Sequence, residues 1–113
     1  MRSEVQKLLA LYRDAQIYAT GYSLGSALTT IAALDLHNIF ERVEQLYTFG
    51  EPRVGNEAFA SFVTKSISER YRIIHYADIV PHVPPQLPIP YAHFANEIWY
   101  DSGMKTYKQC GAE

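Results

Sequence analysis

Gly21-Tyr22-Ser23-Leu24-Gly25 sets a serine between two glycines at one-residue spacing, a pattern that can turn a hydroxyl into a nucleophile. Three fixed positions, each filled at about 7% by ordinary glycine and serine usage, recur by chance in roughly one chain in thirty of this length. The pattern alone is therefore weak, and its weight comes from context. A serine held in a sharp strand-to-helix turn presents its Oγ above the sheet edge, where the next N–H and the helix N-terminus can receive an oxyanion. Gln16 to Thr20 reads as that strand. Leu24 to His37 reads as that helix, carrying Leu24, Leu28, Ile31, Ala32 and Leu36 among small residues. Glycine is expected on both flanks because a side chain at either position would meet the neighbouring strand or helix. Ser23 is then the candidate nucleophile and the Leu24 N–H an oxyanion donor. Two other readings stay open. Ser23 could simply cap the helix, or the turn could bind phosphate, although the Walker lysine and a Gly-x-Gly-x-x-Gly pattern are both missing.

An activated serine needs an imidazole base, and the imidazole needs a carboxylate to orient it. Among the acids after Ser23, only Asp78 falls just beyond the C-terminal end of an expected core strand, where parallel sheets build their sites. Its alternative role is to cap the turn of "DIVPHVPP". Asp35, in mid-helix, and Asp101, in a hairpin turn, read as structural. The histidines fit less well. His37 closes a helix, His75 lies inside a strand, and His82 is too near Asp78 in sequence to come from a separate loop. His93, in "YAHFANEIWY", has a suitable distance and order, yet it precedes an expected strand where a base of this kind should follow one.

These residues need a scaffold. Val5, Leu8, Leu9 and Tyr12 share a face, so Ser3 to Asp14 is expected as an amphipathic helix with Ser3 as N-cap. Val43 to Phe49 is a second strand, Asn56 to Ile67 a second βα helix capped by Asn56, and Tyr71 to Ala77 a third strand. The βαβαβ order implies a parallel sheet. Five of the six prolines crowd into Asp78 to Tyr91, which is expected as an ordered extended loop. Ile98 to Asp101 and Met104 to Tyr107 are expected as a hairpin around Ser102-Gly103. Tyr22 and the apolar residues from Pro81 to Tyr91 offer a rim for an acyl group or, equally, simple loop packing. Arg53 and Asn56 in "FGEPRVGN" are expected to tie their own loop.

Bulk properties narrow the function classes. The 113 residues fit one domain at most, with 10 Lys+Arg against 12 Asp+Glu, so the field that nucleic-acid binding requires is missing. No apolar run approaches the ~20 residues of a membrane span. Cys110 is the only cysteine, so it is a free thiol or half of a disulfide completed elsewhere.

Four blocks, "YATGYSLGSALTTIAALDL", "YTFGEPRVGNEAFASFV", "YRIIHYADIVPHVPP" and "YAHFANEIWY", carry a specific resemblance. From Ile17 to about Tyr100 the chain resembles the class 3, fungal-type lipases, an α/β-hydrolase family that hydrolyses triacylglycerols and related esters. The resemblance implies Ser23 as nucleophile and Asp78 as triad acid, with no metal or organic cofactor. It also implies that the histidine of the "H…E-x-W" block is non-catalytic and that the triad histidine lies beyond the hairpin, where no residue here corresponds. Family members further place a strand, the second oxyanion donor and a lid helix ahead of the first helix. Residues 1–113 are therefore expected to form one incomplete domain, a partial α/β-hydrolase with a parallel sheet core, flanking helices and a C-terminal β-hairpin. The implied partner is a lipid or ester substrate, at a lipid–water interface. Tyr22 and Ser26 depart from the family's usual His and Gly, which bears on substrate preference. By the resemblance Cys110 fits a disulfide to a tail cysteine, implying a secreted parent. The alternatives are a non-catalytic fragment lacking the histidine and a small esterase using His93.

Overall fold

The computed structural model describes residues 1–111. Helix α1 (Arg2–Leu11) leads into β1 (Ile17–Tyr22), α2 (Leu24–Phe40), β2 (Val43–Phe49), a two-residue β3 (Gly55–Asn56), α3 (Glu57–Ser66) and β4 (Glu69–His75). A single 3-10 turn (Val80–His82) then precedes β5 (Tyr91–Ala92), β6 (Glu97–Tyr100) and β7 (Tyr107–Cys110). The main sheet runs β1-β2-β4-β6-β7, and β3 pairs with β5 in a separate two-stranded ladder. β1, β2, β4 and β6 are mutually parallel, with β7 antiparallel at the edge. Their parallel run brings the C-terminal ends of β1, β2 and β4 to one edge, with Tyr22 beside Phe49 and Phe49 beside Ile73.

The sheet's helix-covered face is apolar for a local reason. Leu34 and Leu36 of α2, Leu46 of β2, Ala60 and Val63 of α3, and Ile67 form one buried cluster, against which Val5 of α1 packs. Alternation along β2 sends Leu46 and Thr48 inward while Tyr47 and Phe49 point to the other face. On that other face Tyr47 and Tyr71 stack at 5.2 Å, and Tyr18, Tyr22 and Phe49 stay exposed among the described residues. Parallel sheets usually bury both faces, so this aromatic face is one that further chain would cover.

Several boundaries depart from expectation, each for a visible reason. The first helix starts at Arg2 with Met1 at its N-cap, and Ser3 lies inside it; its stripe is only half covered, since Leu8 and Tyr12 remain exposed. Arg2 instead ties α1 to α2 by a pair of bonds to Asp35, an exposed contact worth little to stability. α2 continues to Phe40 because no glycine stops it; Glu41 ends it in the left-handed conformation at φ 53°. The hairpin's return strand begins at Tyr107, three residues later than expected. Asp101 Oδ1 accepts from the N–H groups of Lys105 and Thr106 and so draws these residues into the turn. Asn56 caps α3 as expected, accepting from the Phe59 N–H at 3.0 Å.

One buried carboxylate has a thermodynamic consequence. Glu51, 1% exposed, accepts from Thr30 Oγ1 of α2 at 2.5 Å and from Thr48 Oγ1 of β2 at 2.8 Å. Burial outweighs these bonds and the attraction of Arg72, pushing its pKa from 4.5 to about 7. The raised value means the folded state prefers neutral Glu51. Its contribution to stability is complete below about pH 4.5 and is lost as pH rises through 7, by about 3 kcal/mol. Chemical denaturation between about pH 5 and pH 8 should therefore show a falling stability that Glu51→Gln flattens. An unchanged slope in the variant would place the pH dependence elsewhere.

Candidate active site

Ser23 lies between the end of β1 and the start of α2, at φ 53° and ψ −126°. A left-handed φ is strained for any residue with a Cβ, by roughly 1–3 kcal/mol. The backbone of Phe49 holds the turn in place. Its carbonyl accepts from the Ser23 N–H at 2.9 Å and from Ser26 Oγ at 3.1 Å, and its N–H reaches Ser26 Oγ at 3.3 Å. Ser26 is fully buried here, so its hydroxyl serves to lock α2 onto β2. Ser23 occupies the N-cap position of α2, yet its side chain makes no capping hydrogen bond. The simple capping role is thereby excluded. Leu24 opens α2, where the first N–H groups have no partner within the helix.

The two flanking glycines differ. A Cβ on Gly21 would lie 2.5 Å from the Gly25 carbonyl oxygen and 2.7 Å from Thr29 Oγ1, so strand and helix approach too closely there for any side chain. A Cβ on Gly25 would meet nothing within 4 Å. The expectation that both flanks are sterically closed holds at Gly21 and fails at Gly25, because the helix has already turned that position away from the sheet.

Asp78 follows β4 in the turn that begins at Tyr76. Its N–H donates to His75 O at 3.1 Å, and its Oδ1 accepts from the Val80 N–H at 2.9 Å. The carboxylate thus does cap its own turn, and one oxygen is left over. That oxygen, Oδ2, packs on Gly50, where a Cβ would come within 2.6 Å of it; Gly50 sits at φ +57°. Tyr22, Phe49, Gly50, His75, Asp78 and Met104 are among the walls of one open cavity of about 620 Å³ at the C-terminal strand ends. The residue just before Ser23 and the candidate acid therefore face the same space.

Gly50, which lines this cavity beside the candidate acid, was not singled out from the sequence. An alanine there pays the left-handed penalty of about 1–2 kcal/mol, and its Cβ pushes a flexible carboxylate aside. In the protein expressed from its complete reading frame, we expect Gly50→Ala to lower turnover about a hundredfold, the scale of a 1 Å misplacement, with KM little changed. Steady-state kinetics with a melting curve would check this; unaltered turnover would mean that the Asp78 carboxylate position is immaterial.

The histidines separate clearly. His37 sits in the last turn of α2, and His82 is exposed in the 3-10 turn. His93 is 4% exposed, with Nε2 2.8 Å from Pro81 O. His75, expected to lie inside its strand, is instead the last residue of β4. It is exposed on the cavity wall, with Nε2 3.4 Å from Ser102 O. Its signal was alternation: Ile73 and His75 share the face opposite to buried Arg72 and Ile74. Of the proposed acyl rim, Tyr22, Leu87 and Ile89 are exposed while Pro81 is buried. Arg53 reaches beyond its own loop, to the carbonyls of His82 and Pro84. No group of three or more metal-binding side chains occurs among the described residues, and no helix is long and apolar enough to cross a membrane.

Known proteins share this fold. A family profile described as "Lipase (class 3)" matches residues 1–87. A secreted mono- and diacylglycerol lipase 1 of Fusarium solani is 45% identical over 84 residues, which cover 74% of this chain and 25% of that protein. The solved structure of lipase II from Rhizopus niveus superposes with a TM-score of 0.88 at 36% identity, covering 96% of this chain and 43% of that one. A triacylglycerol lipase described as having a catalytic centre formed by a serine protease triad also superposes at 0.88, with 35% identity over 98% of this chain and 44% of that one. The chain spans about a quarter of the curated Fusarium relative and over two-fifths of the two solved chains.

Proposed function

The chain belongs to the class 3 lipase family, and we propose that it carries the nucleophile and the acid of a serine carboxylic-ester hydrolase acting on acylglycerols. The observation that carries this is Ser23 itself, held in a strained left-handed conformation while its side chain performs no capping. Backbone strain at a residue whose side chain makes no structural bond is characteristic of a functional position.

In the proposed reaction Ser23 Oγ attacks the ester carbonyl carbon as an imidazole takes its proton. The C=O π bond opens onto oxygen, and the Leu24 N–H with the positive end of α2 holds the oxyanion. Collapse expels the alcohol, which receives the proton from the imidazolium. Water then repeats the sequence on the acyl-enzyme and releases the fatty acid. Asp78 keeps the imidazole in the tautomer that accepts the serine proton. We place that imidazole in a segment outside residues 1–113, as the family resemblance implies. Engagement of His93 Nε2 by Pro81 O speaks against His93 as the base. The chain is then one part of a larger single α/β-hydrolase domain, in keeping with the fraction of its relatives' length that it spans.

Tyr22, Leu24, Ile79, Leu87 and Ile89 are each at least 60% exposed in this chain, an apolar display that the rest of the domain or a lipid surface would cover. The Fusarium relative's description as secreted supports the same destination for the parent protein. Fluorophosphonate labelling tests the proposal. The protein expressed from its complete reading frame should be labelled at Ser23, and residues 1–113 alone, if folded by circular dichroism, should not. Labelling of the isolated chain would locate the base inside it. A complete protein that stays unlabelled would remove the proposal.

A further inference from the structure

The loop after Asp78 has a shortage of donors. Pro81, Pro84, Pro85, Pro88 and Pro90 lack N–H groups, so this stretch cannot settle its carbonyls in a ladder and must find donors elsewhere. Four consecutive carbonyls do so from two distant segments. Pro81 O receives His93 Nε2 at 2.8 Å. His82 O and Pro84 O receive Arg53 Nη1 at 2.8 and 3.0 Å, and Val83 O receives the Arg53 backbone N–H at 2.8 Å. A carbonyl only accepts, so His93 Nε2 carries its proton. Arg53 is 8% exposed and His93 4%; the His93 bond is buried and the two Arg53 side-chain bonds are partly so.

Both anchors are braced. The residue after His93, Phe94, is buried, and its carbonyl accepts from Arg72 Nε at 2.8 Å. Arg72 also pairs with Glu97 at 3.1 Å, fixing the segment that carries His93 onto β4. Arg53 lies in the β2–α3 loop, three residues after Gly50, against which the Asp78 carboxylate packs. The gripped carbonyls begin in the 3-10 turn Val80–His82, and the Val80 N–H is the donor that fixes Asp78 Oδ1. Neither Arg53 nor His93 lines the cavity.

We propose that Arg53 and His93 are positioning residues for Asp78: they hold its loop by four consecutive carbonyls, and so aim the carboxylate through the Val80 turn. This rests on the assignment of Ser23 and Asp78 as nucleophile and acid. A carboxylate that aims well at an imidazole favours the imidazolium, and a loosened one lets the imidazole's pKa fall. Loss of the grip therefore lowers turnover and moves the acid limb of the rate profile to lower pH, an effect that simple loss of folded protein does not produce.

The test uses the protein expressed from its complete reading frame, hydrolysing a soluble p-nitrophenyl ester, with kcat normalised to serines titrated by fluorophosphonate. His93→Leu should lower kcat about tenfold or more with KM nearly unchanged and shift the acid limb downward. His93→Gln, which keeps an N–H donor, should recover most of both. If His93→Leu does not fold, Arg53→Met serves, since it keeps an unbranched stem but removes the donor, Nη1, that serves both the His82 and the Pro84 carbonyl. Unchanged kcat per titrated serine and an unmoved limb, in whichever variant folds, would overturn the proposal. Hydrolysis that survives Ser23→Ala would instead overturn the assignment beneath it.

Discussion

Hydrolysis by the complete protein should fall about 10⁵- to 10⁶-fold on Ser23→Ala, to the level that oxyanion binding and substrate positioning sustain alone. The expectation is this large because in the proposed reaction the Oγ is the atom that forms the acyl bond, and the next serine is not placed to replace it. Ser26, three residues on, is fully buried with its Oγ committed to the Phe49 backbone. The fold should be indifferent to the change. Ser23 makes no capping bond to lose, its N–H still donates to Phe49 O, and alanine tolerates φ 53° no worse than serine. Melting temperature and substrate KM are thus expected to stay near those of the parent. A variant that retains more than about a hundredth of the activity would mean that Ser23 is not the nucleophile, and a variant that unfolds would assign it a structural role instead.

Asp78→Asn should cost about 10⁴ in kcat, the scale seen when a triad acid loses its charge but keeps its shape. The asparagine Oδ1 can still accept from the Val80 N–H, so the turn that Asp78 caps survives. What changes is the Oδ2 position beside Gly50, where an amide NH₂ replaces a carboxylate oxygen. A donor there favours the imidazole tautomer whose other nitrogen already bears a proton, which leaves the serine without a base. Asp78→Ala adds a second loss, because the Val80 N–H is then without its acceptor; it should be both inactive and less stable by about 1–2 kcal/mol. Equal melting temperatures for Asp78→Asn and the parent, with turnover reduced by orders of magnitude, would separate the acid's chemical role from its turn-capping one. Full activity in Asp78→Asn would transfer the role of acid to another residue.

The two expectations differ in what they ask of the rest of the molecule. Ser23 is positioned by contacts close in the fold, chiefly the β1–β2 register and the Phe49 backbone. Asp78 depends on Gly50, Arg53 and His93, which come from two other loops. Substitutions around the serine should therefore act mainly through local strain. Those around the acid should act at a distance, through a proline-rich loop with few donors of its own.

Much of this was legible in the residues because it is local. The alternation of Val43 to Phe49, the apolar spacing of Leu24 to Leu36, the cap at Asn56 and the strand–turn–helix context of Ser23 depend on neighbours within a few positions. Asp78 could be singled out because a parallel sheet gathers its strand ends on one edge and this acid directly follows an expected strand; that Glu51, just past β2, is instead buried was not legible. Other features could not be read this way. The parallel pairing of β6 with β4, the approach of Gly50 to Asp78, the place of His75 on the cavity wall and the reach of Arg53 to carbonyls 29 and 31 residues away come from packing between segments that no period in the chain relates. Nor could spacing show that Gly21 is closed while Gly25 faces open space, since both glycines look alike beside the serine. Local patterning is set by backbone periodicity and side-chain polarity, which each residue carries with it. The aim of a carboxylate is set by which distant donors reach its loop, and that exists only once the chain has folded.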